Sequence, residues 1–352
     1  MSFQNKKFTL TRAEKKDTGD IEKIMNSGSF SGGIEVQYLR GNDPLASFEK
    51  EGTESFIYIL REKEHGEAVG MGGCIVRPAL VNGKIKRAGY LTGLKIIPEY
   101  QRRVMCIPEI YRFFYEETKN YIDFYYSSIL EENTAALLLL EKRHKNMPEY
   151  RFLDSYIVYF CKTGNFKKTN FQITRCDFSQ AEEFYIKEAE KYNLTYPSLN
   201  SNDLKNGEFY GIYENSQLLG IGYLLNQQDY KKYVIKNYLG IYKYISKLPT
   251  RLLKYPSFPK ENHSADYTSM GIMVKDNNVE LGYELITQLL KISPKRDFVM
   301  LGLLEEDPLN KAFSRIKNIK YRSRIYHVTW DKEDKTTDEL KEALLKLEVA
   351  FL

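Results

Sequence analysis

One stretch of this chain has the residue types and spacing of a phosphate-binding loop. Residues 96–106 read IIPEYQRRVMC, and they follow a predicted buried strand and precede a predicted helix. Free backbone N–H groups and the helix dipole at such a junction both favour a bound anion. Arg102 and Arg103 add two positive charges. The alternative is a surface turn with two solvated arginines, and we favour the anion site.

The elements that must position this loop alternate between strands and helices. Pro98 ends the preceding strand, and Ile107, Ile110 and Phe114 recur at helical spacing after the loop. Residues 78–83 are predicted to form a turn. Strands are predicted at 8–12, 55–60, 68–76, 88–97, 124–130 and 156–161, and helices at 20–25, 107–114 and from Asn133 onward.

The second half of the chain repeats the first. FTLTR at 8–12 matches FQITR at 171–175, and LEEN at 130–133 matches LEED at 304–307. Tyr90–Leu94 and Tyr156–Phe160 have similar partners at 267–271 and 326–330. The offsets of 163 to 177 residues exceed a solenoid period of roughly 20–50 residues. The repeat therefore predicts two copies of one domain, at 1–162 and 171–352, joined by a polar linker at 162–170.

The second copy is predicted to follow the same order with one insertion, at 226–262. A helix is expected at 281–289 and another near Pro308, and an amphipathic helix within 331–352. Its strands are predicted at 208–213, 217–225, 267–274, 298–304 and 324–330.

The loop at 96–106 resembles the GNAT superfamily of acyl-CoA N-acyltransferases. In that family a strand ends in a pattern like V-x-P-x-[YF]-[QR]-x-x-G-x-[GA], whose backbone holds the coenzyme A pyrophosphate. Pro98, Tyr100 and Gln101 match this pattern, whereas Val104 and Cys106 stand at the two small-residue positions. Glycine allows close approach of the backbone to a ligand, so the departure matters only if a positive φ is needed there.

A second family signature, N-x-x-A-x-x-L-Y, follows the fifth strand. Asn133, Ala136 and Leu139 match it, and Leu140 stands where the family has tyrosine. In the second copy the corresponding positions are Asp307, Asn310, Phe313 and Ser314, and Val274 to Leu281 is too short for a phosphate loop. The second copy thus resembles a degenerate GNAT domain.

The resemblance implies an α/β fold (an α+β mixed sheet) of two tandem GNAT-like domains, each with its fourth and fifth strands splayed apart. It also implies that the first copy binds acetyl-CoA as cosubstrate. The cofactor-binding residues expected from it are Leu94, Ile96, Ile97, Gln101, Arg102, Arg103, Val104, Met105, Cys106 and Asn133.

The resemblance places Tyr90 on the strand that lines the acyl site, as the candidate catalytic residue. Tyr90 could hydrogen-bond an amine or a water, although a pKa of about 10 makes tyrosine a poor base; an ordinary strand tyrosine is the alternative. Backbone N–H groups near Leu94–Ile97 could polarise a thioester carbonyl. Asn133 could cap its helix or contact pantetheine, and Cys106 could have a lowered pKa or simply pack. Leu140 cannot donate a proton.

The predicted function is transfer of an acyl group, acetyl first of all, from CoA to an amine by direct attack. Two alternatives stay open: a non-catalytic pseudo-acyltransferase that binds CoA or a protein partner, and a tandem-GNAT aminoacyl-tRNA-dependent transferase. The acceptor, a small-molecule or peptide amine, is not specified.

The insertion has eight Lys/Arg against Asp229 and Glu261, with six tyrosines. We expect it to be a helical cover with inward tyrosines rather than a nucleic-acid site.

Composition supports a cytoplasmic enzyme. Hydrophobic residues are 42% and charged residues 28% of the chain, as in ordinary globular proteins. The four cysteines form no CxxC pair, which predicts free thiols and a reducing compartment. The four histidines are scattered, so no metal site is predicted. No membrane role is predicted, because the longest aliphatic stretch, 135–140, is far below the roughly 20 residues that span a bilayer.

Overall fold

The chain folds into strands and helices in nearly the order that the repeat predicts. The computed structural model describes residues 2–28, 33–141, 147–164, 166, 171–200 and 202–352. The first copy contains β1 (Phe3–Gln4), β2 (Phe8–Arg12), α1 (Thr18–Asn26), β3 (Ile34–Leu39), α2 (Pro44–Glu49), β4 (Glu54–Glu62), β5 (Ala68–Val81), β6 (Lys84–Ile96), α3 (Ile107–Thr118), β7 (Phe124–Leu130), α4 (Thr134–Leu140) and β8 (Glu149–Cys161).

The second copy continues the series after the linker, of which residues 165 and 167–170 lie outside the described residues. It contains β9 (Gln172–Arg175), α5 (Phe178–Ala189), β10 (Glu208–Glu214), β11 (Gln217–Leu225), β12 (Lys232–Tyr238), α6 (Tyr242–Ile245), β13 (His263–Ser264), β14 (Tyr267–Val274), α7 (Val279–Ile292), β15 (Phe298–Leu304), β16 (Asn318–Thr329) and α8 (Thr336–Lys341).

Five predicted strands have the bounds that the sequence indicates: β2, β7, β11, β14 and β15. Each is a short run of apolar or alternating residues bounded by turn residues, which is the strongest local strand signal. The four cysteines are buried free thiols, as predicted. No helix among the described residues is long and apolar enough to cross a bilayer.

The turn predicted at 78–83 is wrong, because β5 continues to Val81. The hairpin closes at Asn82 and Gly83, whose φ values are +51° and +69°. A two-residue turn of this kind needs positive φ at both positions, and Asn-Gly supplies it with little strain. Pro78 therefore stays inside the strand, opposite Arg87.

The helix predicted within 331–352 is also largely wrong. Only α8 is α-helical, and Val349–Phe351 forms one 3₁₀ turn. Between them the chain runs along the second copy, where Leu345 pairs with Asn193. The Asn193 N–H donates to the Leu344 carbonyl at 3.0 Å, and the Lys346 N–H donates to the Asn193 carbonyl at 2.9 Å. Tertiary pairing thus outweighs helix propensity here. The helix near Pro308 forms as a 3₁₀ helix, Pro308–Arg315.

The two copies share one mixed sheet because they exchange their last strands. The sheet order is β1-β2-β4-β5-β6-β7-β16-β8-β15-β14-β11-β10-β9. β16 pairs with β7 of the first copy, β8 pairs with β15 of the second, and β8 and β16 pair with each other. Each copy is therefore completed by a strand of the other. The copy boundaries at 1–162 and 171–352 follow chain order and stay a prediction.

The parallel strand pair at the centre of each copy separates along its length. β6 pairs with β7 only from Ala88 to Leu91, although β6 continues to Ile96. β14 pairs with β15 only from Tyr267 to Ser269, although β14 continues to Val274. The strands predicted to splay apart as the fourth and fifth of each copy are β6 and β7 in the first copy and β14 and β15 in the second. Both pairs do splay apart.

The insertion forms a second sheet against the first copy. β12 pairs antiparallel with β3, and β13 pairs with the other edge of β12. The predicted helical cover is thus mainly a strand followed by turns. The expectation of inward tyrosines holds for Tyr230 and Tyr238, which are buried, and is wrong for Tyr244, which is exposed.

A buried ionic cluster fastens the insertion to the first copy. The Glu51 carboxylate lies 3.0 Å from Arg40, 3.3 Å from Arg77 and 3.1 Å from Lys231, and all four side chains are buried. Burial raises the pKa of the Glu51 carboxyl, but the three cations oppose this more strongly and lower it to about 2. Burial lowers the pKa of Lys231 to about 8, against the opposing effect of Glu51. All four groups are therefore charged at neutral pH.

We predict that Glu51→Gln destabilises the protein in a pH-dependent manner. Removing the carboxylate leaves three buried cations without a counter-charge, which costs about 3–5 kcal/mol. The folded pKa of about 2 lies below the ordinary value of 4.5, so the ion pairs stabilise the fold above pH 4.5. That contribution is lost as pH falls through 4.5 towards 2. Denaturant unfolding across this range should show the difference from wild type shrinking on acidification.

The matched control is Glu49→Gln, which removes an exposed carboxylate two residues before Glu51. It should leave the free energy of unfolding within about 0.5 kcal/mol of wild type. A Glu51→Gln protein as stable as wild type at neutral pH, or a difference that stays constant on acidification, would contradict the assigned role of the cluster.

Candidate active site

The splayed strands open onto one large apolar cavity. Its volume is about 500 Å³, and it reaches from the β6–β7 wedge to the second copy. The wall on the first-copy side includes Ser128 on β7 and Leu94 on β6. The insertion contributes Tyr233 and Ile235 from β12, and the second copy contributes Phe298. An apolar cavity of this size with few polar groups is the usual form of a small-molecule site.

A bulge in β6 lies at the wall of this cavity. The β5–β6 register shifts between Met71 and Gly73, so Gly93 and Leu94 have no partner in the described ladder. Gly93 adopts φ of +69°, which glycine tolerates without strain. Both residues line the cavity, and Leu94 is 43% exposed. The bulge therefore places the backbone of Gly93 and Leu94 at the cavity wall.

Ile96 and Ile97 differ in their access to the cavity. Ile96 lines it, opposite Gly70 on β5. Ile97 is buried outside it, and its N–H donates to the Val69 carbonyl at 2.9 Å. The expectation that backbone donors extend to Ile97 is therefore wrong, because this N–H is already engaged in extending the sheet.

The predicted phosphate loop lies between β6 and α3 at the end of the wedge. The N–H groups of Arg103 and Val104 both donate to the Tyr100 carbonyl, at 2.9 and 3.0 Å. Those of Arg102, Met105 and Cys106 make no backbone hydrogen bond among the described residues. Three donors thus remain in the loop. Free N–H groups before a helix are what an anion site requires.

The side chains of this loop divide into exposed and buried positions. Arg102, Arg103 and Gln101 are exposed, and Met105 is 80% exposed. Val104 and Cys106, which replace the small residues of the GNAT pattern, are buried in the core. Burial raises the pKa of the Cys106 thiol, so the option of a lowered pKa at this helix end is wrong.

The second signature places its residues on the opposite wall of the wedge. Asn133 caps α4, and its side chain accepts a hydrogen bond from the Ala136 N–H at 3.1 Å. The Asn133 side chain also lines the cavity, so both predicted roles are compatible with its position. Leu140 is 6% exposed and lines the same cavity from the end of α4.

Tyr90 lines the cavity as a hydrogen-bonding group and not as a base. Its hydroxyl lies 2.6 Å from the Ser128 hydroxyl, which faces it across the wedge. Arg77 stacks over its ring at 4.6 Å. Burial raises the pKa of Tyr90 to about 12, although Ser128 and Arg77 oppose the shift. Tyr90 is therefore neutral at physiological pH.

The charged residues at the cavity that the sequence does not single out include Glu132 and Lys95. Glu132 is an exposed carboxylate on the cavity rim, and it accepts a hydrogen bond from the Gly33 N–H at 3.1 Å. Lys95 also lines the cavity, and its ammonium donates to the carbonyls of Met25 and Gly28 at 2.6 and 2.8 Å. Burial lowers the pKa of Lys95 to about 8. The LEEN segment is the only sequence signal for Glu132.

The second copy has no comparable loop among its described residues. After β14, one 3₁₀ turn leads directly to α7, which is capped by Asn278. Asp276 and Glu280 flank this helix N-terminus and form ion pairs with Lys191 and Arg315. Acidic side chains here would repel a phosphate. The second copy therefore lacks the loop on which the prediction of cofactor binding by the first copy depends.

Solved acyltransferases share this architecture. Saccharomyces cerevisiae N-myristoyltransferase with bound myristoyl-CoA and inhibitors has a TM-score of 0.60 at 8% identity, covering 98% of this chain and 88% of that chain. A GCN5-related N-acetyltransferase from Sphaerobacter thermophilus has a TM-score of 0.56 at 10% identity, covering 91% of this chain and 95% of that chain. Neither a family model nor a curated protein sequence matches. The chain therefore has the GNAT acyltransferase fold, and the prediction of that fold is confirmed.

Proposed function

We propose that this protein is an acyl-CoA-dependent N-acyltransferase whose first copy binds the cofactor. The observation that carries this is the β6–β7 wedge, which opens onto a 500 Å³ apolar cavity and ends at the loop of residues 97–106. In the proposal the loop N–H groups hold the pyrophosphate, the wedge holds pantetheine, and the cavity holds the acyl group. The acceptor is a small-molecule or peptide amine, and the buried free thiols fit a cytoplasmic protein.

The proposed chemistry is direct attack of a neutral amine on the thioester. The nitrogen bonds to the carbonyl carbon, the C–S bond breaks, and the CoA thiolate takes up a proton. The N–H groups at Gly93 and Leu94 stabilise the developing oxyanion. Glu132 accepts the proton that the amine must lose, since its carboxylate is exposed on the cavity rim. Tyr90 orients the amine or a water through its neutral hydroxyl.

Acetyl is the first candidate for the acyl group, and a longer chain is the second. The supporting observation is that the cavity continues past the wedge to Phe298 and Tyr321 of the second copy. An acetyl methyl group would leave most of that space empty. Unfilled apolar volume favours a ligand whose apolar chain displaces water from it. N-myristoyltransferase, which shares the fold, binds myristoyl-CoA.

The cofactor site predicts a charge-dependent affinity for CoA. Arg102→Glu with Arg103→Glu should raise the Kd for CoA at least about tenfold, because two favourable charges near the pyrophosphate become repulsive. Isothermal titration calorimetry measures this directly. The matched control is Lys275→Glu with Lys291→Glu, which makes the same charge change on the second copy. CoA binding that survives the first pair, or is lost only with the second, would contradict the assignment.

The cavity predicts that affinity rises with acyl chain length. Each methylene that enters an apolar cavity contributes about 0.8 kcal/mol, or about a fourfold lower Kd. Calorimetry with CoA, acetyl-CoA, octanoyl-CoA and myristoyl-CoA should therefore show a progressive gain. Equal affinities along the series would contradict entry of the acyl chain into the cavity.

The proposed base predicts an activity loss specific to Glu132. Glu132→Gln should lower kcat/KM about 10²-fold, the lower end of general-base effects, as measured by release of the CoA thiol. Glu131→Gln is the control, because Glu131 lies 3.6 Å from Arg322 and does not line the cavity. Tyr90→Phe should lower the rate less, about two- to tenfold. Equal behaviour of the two glutamine variants would exclude Glu132 as the base.

If the wild-type protein binds CoA but transfers no acyl group to any member of a broad amine panel, the pseudo-acyltransferase alternative replaces this proposal. The tRNA-dependent alternative would require binding of aminoacyl-tRNA to the insertion. The CoA experiments do not test it.

A further inference from the structure

Residues 239–254 of the insertion, here called the basic–apolar segment, expose an unusual amount of apolar surface. The described residues include fifteen large apolar side chains that are exposed, and six of them lie in this segment. Leu252 is 80% exposed, Tyr244 72% and Ile241 67%. The other three are Leu239, Leu248 and Leu253. Such a concentration is atypical of a surface that contacts only water.

The segment is held in this conformation by local hydrogen bonds. The buried Thr250 hydroxyl donates to the Pro256 carbonyl at 2.7 Å. The Arg251 guanidinium donates to the Ser257 hydroxyl at 2.5 Å, and the Lys162 ammonium donates to the Arg251 carbonyl at 2.9 Å. α6 and the turns after it are therefore anchored by their polar groups, while the leucines next to Arg251 face outward.

The exposed charges on the same segment are all positive. Lys243, Lys247 and Lys254 are exposed, and no acidic residue occurs between Asp229 and Glu261. A surface that combines apolar side chains with lysines and lacks acidic groups is complementary to a layer of anionic headgroups over hydrocarbon.

We propose that the basic–apolar segment docks on an anionic lipid surface. Aliphatic side chains such as Leu252 and Leu253 can enter the boundary between headgroups and acyl chains, but they cannot stack on bases as a nucleic-acid site requires. Tyr244 is the one strongly exposed aromatic side chain of the segment. The lysines add electrostatic attraction of about fivefold in affinity per charge.

This surface role goes beyond acyl transfer and does not depend on it. It also departs from the sequence-based expectation of no membrane role, which rested on the lack of a spanning stretch. Docking would place the cavity wall near the lipid, because Tyr242 and residues 256–259 border both the segment and the cavity.

The test is co-sedimentation of the full chain with vesicles. Wild type should sediment with vesicles of phosphatidylcholine and phosphatidylserine, and much less with phosphatidylcholine alone. Leu252→Ser with Leu253→Ser should reduce the bound fraction at least about tenfold. Lys243→Gln with Lys247→Gln should reduce it by about 25-fold on anionic vesicles only. Because these side chains are exposed, the variants should fold, as thermal unfolding would verify.

The matched control is Lys84→Gln with Ile85→Ser at the tip of the β5–β6 hairpin, where Ile85 is 65% exposed. This variant should sediment like wild type. Equal loss in the control, or no sedimentation of wild type with either vesicle, would overturn the proposal. So would tight binding of RNA that the lysine variant abolishes while vesicle binding is absent, since the segment would then be a nucleic-acid site.

Discussion

One buried carboxylate joins the parts of the molecule that enclose the cavity. Glu51 pairs with Arg40 after β3, with Arg77 on β5 and with Lys231 before β12. Three buried cations are tolerated only where a counter-charge meets them, so these elements must converge on one point. That convergence sets β12 against β3, which is how Tyr233 becomes part of the cavity wall. The position of this cavity wall therefore follows from the need to pair the three buried cations with Glu51.

The sequence predicts individual strands better than their partners. β7, β14 and β15 are apolar runs with clear turn signals, and their bounds are read directly from the chain. β3 and β12 carry weaker patterns, and each is stabilised by the other across almost two hundred residues. The leucines of 331–352 have helical spacing, yet the backbone there pairs with Asn193. Local periodicity contains no information about such distant partners.

The candidate site shows the same division. Its proposed phosphate loop can be predicted from the sequence, because strand, loop and helix follow one another within twenty residues. Glu132 cannot be predicted in this way, because the sequence does not distinguish it from the adjacent Glu131. Only in the folded chain does Glu131 lie near Arg322 and Glu132 line the cavity. The leucines at 252–253 would be expected to pack inward on composition alone, whereas they face solvent. Whether a side chain faces the cavity, the core or solvent depends on the folded backbone and cannot be inferred from the local sequence.

The position of β16 between β7 and β8 also affects how the chain acquires its structure during synthesis. Leu130 pairs with Ser323, 193 residues later, so β7 has an unpaired edge until the second copy has left the ribosome. Contacts of such long separation form slowly, because the loop between them must first be closed at an entropic cost. An unpaired apolar strand edge can meanwhile pair with another chain. A nascent first copy is therefore the stage at which misassembly is most favoured, and a chaperone that shields β7 would act there.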